Sequence, residues 1–344
     1  MLERLKLPQF NQAQRQGIAA ALVSAVVLGL APTFGKEAIN AGTPAFTVVA
    51  LRTVLATLSL WLLFGLFGRK YFYIYPVGLL GCLAAGVING LGSLMYYTGL
   101  ARMDASLAQM LYTLYPIFLT LFLRLEGHVI SRFTLFRLAV ALLAVYFLTQ
   151  HGPVQTDWLG AGLMVGAGLF YAAHLAVNQR VLYDVPAPTV AVYTLTAMAV
   201  TVSAGYLLAG APAMPPNAGA WQAVMLLTMV TLISRLSLFM GLKRLGGVQT
   251  ALIGLSELLV TVFSAFLLLG EKLSGLQWVG AALLAASILL VARESQLGTL
   301  PTPRPWTPLL FGQQDWHAAG RPPAEAAAEP DRPPKPAPAP PHPP

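Results

Sequence analysis

Apolar runs of about twenty residues recur along this chain, and charged residues, glycine or proline bound each run. A helix rises about 1.5 Å per residue, so a run of this length crosses the roughly 30 Å hydrocarbon core of a bilayer. The composition agrees, because 56% of the residues are hydrophobic and only 10% are charged, whereas soluble chains carry about 25% charged residues. The sequence therefore predicts an all-α integral membrane protein.

The runs predict ten transmembrane helices, at residues 17–38, 45–67, 76–100, 105–124, 133–150, 158–180, 188–209, 220–242, 247–269 and 275–292. The loops between them are short and leave no room for a soluble catalytic domain. With the N-terminus inside, twelve Lys and Arg residues fall on the inner side and three on the outer side, namely Lys36, Arg102 and Lys272. Because basic residues favour the cytoplasmic side, we expect both termini in the cytoplasm and the protein in the cytoplasmic (inner) membrane.

The two ends of the chain differ from the apolar middle. Residues 1–16 are polar and basic, and predict a cytoplasmic segment before an uncleaved first helix, with a cleaved signal peptide as the alternative. Residues 293–344 are rich in proline, and residues 301–344 alone hold 15 of the 26 prolines. Since such a composition cannot bury a core, it predicts a disordered cytoplasmic tail.

Several classes of function are disfavoured by charge and motif. The net charge of +8 comes mostly from residues at helix ends, which predicts membrane orientation and no nucleic-acid partner. The single cysteine, Cys82, excludes a disulfide framework and a cysteine-based metal site. The chain has no phosphate-binding P-loop to support ATP coupling. We expect no cofactor and no metal, and the lipid bilayer as the surroundings.

An internal repeat appears when the chain is shifted by 142 residues. GLARMDASLAQMLYTLYP then falls on GLKRLGGVQTALIGLSEL, which aligns Gly99 with Gly241 and Arg102 with Arg244. The two copies are placed at residues 17–150 and 158–292. Five helices per copy would make the copies enter the membrane in opposite directions, an arrangement typical of secondary transporters that bind their substrate at the midplane.

Family-specific residues accompany the repeat. They are Lys36 near the end of span one, Arg52 in span two, Pro116 in span four and the segment LLLGEKLSGLQWVGAALLAASILLV at 267–291. Through them the chain resembles the drug/metabolite transporter superfamily, specifically its EamA-like ten-helix members. The resemblance implies a ten-helix bundle around a central cavity that moves small metabolites without ATP.

Two charges face each other across the turn Leu245–Gly246–Gly247. Arg235 and Glu257 each lie eleven residues from Gly246, so in an antiparallel hairpin both lie roughly 15 Å from the turn, near the bilayer midplane. Three interpretations stay open: a structural ion pair, a substrate site, or a proton carrier at Glu257. The first-half equivalents, Ser93 and Tyr115, are uncharged, which predicts a cavity charged on one side only.

Polar residues at helical spacing form stripes on spans three, four, six, eight and nine, and such stripes face the interior of a bundle. Within them His174 is either a packing residue or a proton site. Arg52 is expected to pair with Glu37 and to act in structure or gating. The candidate substrate-binding residues are Arg235, Glu257, Tyr112, Tyr97, Asn89 and His174.

The leading hypothesis is a secondary transporter that moves a small polar metabolite, best guessed as an amino acid or a related compound, by alternating access. We expect it to work as an exporter, with proton coupling as an open alternative and the oligomeric state undetermined. The rival hypotheses are a membrane-embedded enzyme, a channel and a non-transporting scaffold. Five scattered histidines disfavour an enzyme, because catalysis needs clustered groups.

Overall fold

Helices form every regular element in the residues that the computed structural model describes, which are 12–125, 132–148, 157–270 and 274–289. They are α1 (Gln12–Leu28), α2 (Ala31–Asn40), α3 (Ala45–Phe67), α4 (Pro76–Arg102), α5 (Ala105–Tyr112), α6 (Tyr115–Leu125), α7 (Arg132–Leu148), α8 (Trp158–Asp184), α9 (Ala187–Leu208), α10 (Ala218–Leu245), α11 (Gly247–Gly254), α12 (Ser256–Ser264) and α13 (Gly275–Leu289). A 3-10 turn covers Arg69–Phe72, and a π-helical turn follows α12 at Ala265–Leu269.

Eight helical stretches are long and apolar enough to cross a membrane, which confirms eight of the predicted spans. The stretches are Gln12–Asn40, Ala45–Phe67, Pro76–Arg102, Ala105–Leu125, Trp158–Asp184, Ala187–Leu208, Ala218–Leu245 and Gly247–Leu269. The predicted spans 133–150 and 275–292 coincide with α7 and α13, which have 17 and 15 described residues. The count of ten therefore stays a prediction. Residues 1–11, Glu271 of the family-like segment and the predicted tail at 293–344 lie outside the described residues.

Several helices extend beyond the predicted apolar runs. Helix α1 begins at Gln12, before the predicted start at residue 17, and α8 continues to Asp184, beyond residue 180. The added residues in α1 include Gln12, Gln14 and Arg15, which are good helix formers. Hydropathy predicts where a helix leaves the hydrocarbon core. It does not predict where the helix ends, because the backbone hydrogen bonds can continue into the polar interface.

Three of the membrane-crossing stretches are interrupted part of the way along. The breaks lie at 29–30 between α1 and α2, at 113–114 between α5 and α6, and at Leu255 between α11 and α12. Pro32 and Pro116 are the second residues of the helices after the first two breaks, as expected because proline cannot donate to the preceding turn. Polar side chains bind the carbonyls at two breaks: Thr261 Oγ1 donates to Gly29 O at 2.7 Å, and the Tyr115 hydroxyl donates to Ala251 O at 3.2 Å. These bonds provide donors for the Gly29 and Ala251 carbonyls inside the bundle.

The same 142-residue shift reappears in the helix bounds. Helices α3, α4 and α5 begin at Ala45, Pro76 and Ala105, whereas α9, α10 and α11 begin at Ala187, Ala218 and Gly247. The break at 113–114 likewise maps to the break at Leu255. The chain therefore holds two structural repeats, as predicted. The turn between α10 and α11 also lies where expected, at Gly246, whose φ of +79° is a conformation that favours glycine.

The two repeats are intertwined. Helix α4 packs against α8 and α9 of the other repeat, and its equivalent α10 packs against α1 and α3. Matching glycines permit the close approach: a Cβ at Gly99 would lie 2.8 Å from Met164 Sδ, and one at Gly241 would lie 3.1 Å from Ala21 Cβ. The core is therefore built mainly between the repeats, and the space at its centre is lined by both of them.

Candidate functional site

A narrow cavity of about 40 Å³ lies between the helices. Residues of α1, α2, α3, α4, α5 and α8 line it, together with Arg235 of α10 and Glu257 of α12. Each of the five predicted polar stripes contributes at least one lining residue, so the helical spacing of these polar residues correctly indicated a shared interior face.

Five of the six predicted substrate-binding residues line this cavity. Asn89 and Tyr97 come from α4, Tyr112 from α5, Arg235 from α10 and Glu257 from α12. The side chains are enclosed, with Asn89, Tyr97, Arg235 and Glu257 at most 5% exposed. The structure thus brings together residues that are more than 160 positions apart in the sequence.

Aromatic rings form one wall of the cavity. Tyr96 and Tyr97 of α4 have ring centroids 5.3 Å apart, and Tyr96 lies 4.9 Å from Tyr112 of α5. Tyr112 in turn lies 5.4 Å from Tyr171 of α8 and 5.7 Å from Tyr115 of α6. Ring contacts at these distances stabilise one another beyond simple burial. The result is a rigid wall that presents phenol groups and ring faces towards the charged residues.

Arg52, for which the sequence predicted a role in structure or gating, lines the cavity. Its Nη1 donates to Thr231 Oγ1 at 3.2 Å, its Nη2 donates to Ser93 Oγ at 3.3 Å, and its guanidinium lies 4.7 Å from the centre of the Tyr97 ring. The predicted pair with Glu37 is wrong, because Glu37 is exposed whereas Arg52 is only 4% exposed. Distance from a loop gives the height of a residue but not the direction in which its side chain points.

The positive charge of Arg52 also changes the charge distribution that was predicted for the cavity. Arg52 belongs to the first repeat, and Arg235 and Glu257 belong to the second. The cavity is therefore charged from both repeats, and the expectation of charge on one side only is wrong. Arg52 was visible in the sequence as a charge inside an apolar span, which is itself a sign of function in a membrane helix.

Arg235 and Glu257 line the same cavity but form no ion pair with each other. In the described part of the chain the salt bridge observed is Arg102–Asp157, at 2.7 Å. Arg235 points instead towards α8, where its Nη1 lies 3.4 Å from His174 Nε2 and its guanidinium 5.9 Å from the Tyr171 ring centre. A direct lock between α10 and α12, the structural interpretation, is therefore not what the two charges form.

His174 lies behind Arg235 and does not line the cavity. Its Nδ1 is 3.0 Å from the carbonyl of Ala85, so Nδ1 carries the proton and Nε2 is left as an acceptor towards Arg235. Asn178 Nδ2 donates to His174 O at 2.9 Å, which fixes this part of α8. His174 is therefore the one predicted substrate-binding residue that does not line the cavity, because its ring faces α4 and the Arg235 guanidinium.

Four buried polar atoms around the cavity lack hydrogen-bond partners among the described residues. They are Arg52 Nε, Arg235 Nε, Tyr97 Oη and Glu257 Oε2. Buried polar atoms are almost always bonded in native structures, and each exception needs an explanation. Two guanidinium donors and one carboxylate oxygen in the same cavity thus have hydrogen-bonding capacity that the described residues do not use.

Matching contacts at the helix ends join the repeats outside the cavity. Arg102 at the end of α4 donates to Asp157 before α8, and its equivalent Arg244 at the end of α10 donates to Gln16 Oε1 in α1. The first contact is an ion pair, whereas the second joins a cation to a neutral amide. The pKa of Asp157 lies below its usual value, because its carboxylate accepts hydrogen bonds from the Gly160 amide and from Arg102.

Comparisons with known proteins agree with this architecture. The model of the EamA-like transporter family matches residues 15–150 and again residues 158–293. The uncharacterized transporter YcbK of Bacillus subtilis (strain 168) is 23% identical over 261 residues, which cover 71% of this chain and 82% of the relative. A crystal structure of another protein shares the fold with a TM-score of 0.65 and 19% identity, covering 82% of this chain and 98% of the other. The resemblance noted in the sequence is thereby confirmed.

Proposed function

Because the chain belongs to the EamA-like transporter family, we propose that it is a secondary transporter that carries a small polar metabolite out of the cell through the cytoplasmic membrane. An amino acid or a related compound is the proposed substrate. The protein would work without ATP and without a cofactor, and it would not be an enzyme.

The observation that carries the proposal is the cavity lined by buried charged side chains. Arg52, Arg235 and Glu257 are each at most 5% exposed and all line it. Charged side chains inside apolar helices are costly, so they are retained where they serve a pathway or a ligand. Interrupted helices beside such a site are also a feature of secondary transporters. Here α5–α6 and α11–α12 are interrupted at equivalent positions in the two repeats.

Alternating access would use units that differ from the two halves of the sequence. Helix α8 packs against α4, α5 and α6, and its equivalent α1 packs against α10, α11 and α12. Each of these groups takes its first span from the opposite repeat. We propose that the two groups move relative to one another, with α3 and α9, which pack together, as the contact between them. Such a movement would open the cavity first to one side and then to the other.

The remaining features of the proposal come from the charge pattern. The excess of Lys and Arg in the predicted inner loops supports cytoplasmic termini. Glu257 is the carboxylate that lines the cavity, so it is the proposed proton carrier if transport is coupled to a proton gradient. Protonation would weaken its attraction for a cationic group of the substrate and for the Arg235 guanidinium.

The test is an uptake and efflux screen with the purified protein in lipid vesicles, with and without a pH gradient. A library of amino acids and related metabolites supplies the substrates. Wild type is expected to transport at least one of them, and Glu257→Gln to lose that transport or its response to the gradient. Glu37→Gln, which changes an exposed carboxylate of α2, is the matched control and should behave as wild type. Vesicles that transport nothing in the library above the empty-vesicle rate would contradict the proposal.

A further inference from the structure

Resting on the proposed transport function, we infer that the cavity is built for an acidic amino acid or a close analogue. Such a ligand has two carboxylates, one ammonium group and a net charge of −1. Arg52 and Arg235 would each bind a carboxylate, and Glu257 would bind the ammonium group. This assigns a role to every charged residue that lines the cavity.

Arg52 and Arg235 line the same cavity, and neither guanidinium forms an ion pair within the described residues. Arg52 Nη1 is bonded to Thr231, which lies one helical turn before Arg235 on α10. Among the described residues no carboxylate lies within 4.0 Å of either guanidinium, since the ion pair present there is Arg102–Asp157. Like charges repel strongly where the dielectric is low. An anion supplied by the ligand removes this repulsion and explains why both cations are kept.

The unclaimed donors fit carboxylates. Arg52 uses one Nη1 and one Nη2 bond on Thr231 and Ser93, which leaves its Nε free, and Arg235 Nε is likewise unpartnered in the described residues. A guanidinium offers donors in a planar fork that matches the two oxygens of a carboxylate. The Tyr97 hydroxyl, which also lacks a partner there, adds a further donor on the same side.

Glu257 supplies the opposite charge. Its Oε2 accepts no hydrogen bond from the described residues, and the side chain is 3% exposed. A buried carboxylate oxygen is stabilised by a charged donor, and an ammonium group provides three. Nearby ring faces of the tyrosine wall add attraction for a cation.

The sum of the charges sets the class of ligand. Two guanidinium groups and one carboxylate leave one net positive charge, because His174 faces Arg235 through an acceptor nitrogen and is neutral. A neutral amino acid would leave one guanidinium uncompensated. A dicarboxylate without an amine would leave Glu257 uncompensated and would face its repulsion. A ligand with two carboxylates and one ammonium group balances all three.

Binding to the purified full-length protein tests this inference, by calorimetry with L-glutamate, L-aspartate, succinate, L-alanine and inorganic phosphate as probes. Glutamate or aspartate is expected to bind at least about tenfold more tightly than the other three, since each lost charged hydrogen bond weakens binding by about that factor or more. Equal or tighter binding of succinate, alanine or phosphate would overturn the inference. So would the absence of binding by both acidic amino acids.

Changes of preference separate a ligand role from a structural one. Arg52→Gln should reduce the advantage of glutamate over alanine about tenfold, and Glu257→Gln should reduce the advantage of glutamate over succinate by a similar factor. Arg52→Lys, which retains the charge, keeps the test valid if Arg52→Gln does not fold, and should retain the preference for acidic ligands. Arg244→Gln at the helix end is the control and should change neither ratio. Unaltered ratios in folded Arg52→Gln and Glu257→Gln would overturn the inference.

Exchange measurements keep this inference distinct from the proposed function. Vesicles loaded with unlabelled glutamate should take up labelled glutamate by counterflow. Tight binding of glutamate without counterflow would contradict transport but leave the ligand class standing. Transport of a neutral metabolite with no binding of acidic amino acids would support transport but contradict the proposed ligand class.

Discussion

The two repeats share one backbone plan but differ in the chemistry that they bring to the cavity. Helices α4 and α10 start at positions related by 142 residues, and the interruptions before α6 and α12 follow the same shift. At equivalent positions near the cavity, however, neutral and charged residues are exchanged: Ser93 for Arg235, Tyr115 for Glu257, and Thr194 for Arg52. Under the proposed alternating access, the backbone symmetry would give two similar ways of opening the bundle, and the side-chain asymmetry would give a site that distinguishes the two ends of a ligand.

The largest effect is expected when the second repeat is made to match the first at the centre of the cavity. Arg235→Ser places in α10 the residue that α4 carries at the equivalent position, Ser93. Because one of two cations is lost, substrate transport in vesicles should fall by about a hundredfold. Arg244→Ser, at the end of the same helix, serves as the control. Transport by Arg235→Ser at the wild-type rate would show that the asymmetry has no role in the site.

Matched glycines test whether packing between the repeats is equally tight on both sides. A Cβ at Gly241 would meet the Ala21 backbone at 3.2 Å, and a Cβ at Gly99 would meet the Gly160 carbonyl oxygen at 3.2 Å and the buried Met164 side chain at 2.8 Å. Gly241→Ala and Gly99→Ala are therefore each expected to lower the free energy of unfolding by about 1–3 kcal/mol. Thermal unfolding in detergent measures both.

The control for the glycine pair is Gly65→Ala, because nothing lies within 4 Å of a Cβ at that position. It should be neutral or slightly stabilising, since alanine is the better helix former. A stability of Gly241→Ala equal to that of Gly65→Ala would contradict the packing described for α1 and α10, and the same result for Gly99→Ala would contradict the packing of α4 against α8.

A smaller effect is expected at His174, which positions Arg235 from the side away from the cavity. His174→Leu removes the acceptor 3.4 Å from Arg235 Nη1, and should raise the KM of transport roughly threefold with little change in maximal rate. His174→Gln, which retains an acceptor, should recover part of the loss. If His174 is instead a proton site, both variants will abolish the response of transport to pH.

The smallest effect concerns the two matched contacts at the helix ends. The pKa of Asp157 is lower in the folded protein than its usual value, so the contact stabilises the fold above the unfolded-state pKa of about 3.9. That contribution is lost as the pH falls through the lower folded-state value. Asp157→Asn retains a helix-capping oxygen but removes the charge.

The unfolding temperature of Asp157→Asn should lie slightly below that of wild type at neutral pH and low salt, and the difference should vanish in acid. Gln16→Ala, at the equivalent neutral contact of Arg244, should show no such dependence on pH. Equal pH dependence of the two variants would contradict the difference between the two ends.

Much of the fold could be predicted from hydropathy, because bilayer thickness fixes how long an apolar run must be. Pro32 and Pro116 indicate the breaks before α2 and α6, but the break at Leu255 has no proline beside it. Only the 142-residue repeat, applied to the break at 113–114, could have revealed it. The exchange of first spans between the repeats has no signal in a single sequence, since it depends on how the helices pack.

Helical spacing in the sequence predicted which polar residues would share the interior face of a helix. Polar residues three or four apart share a face, which is why five of the six chosen residues line the cavity. His174 follows Tyr171 by three residues, but its ring turns to the Ala85 carbonyl while Tyr171 faces the cavity. Arg52 was misassigned because its partners come from α4 and α10, and nothing local in the sequence shows them.

The measurement that most directly tests whether the central charges serve a ligand is the unfolding temperature of Glu257→Gln, taken together with its transport rate. Glu257 has no ion-pair partner in the described residues and is buried, so replacing it with a neutral isostere should leave stability unchanged or higher. Transport should be lost in the same preparation, while Glu37→Gln keeps both properties. A clear loss of stability in Glu257→Gln with normal transport would contradict a ligand site and favour a structural role.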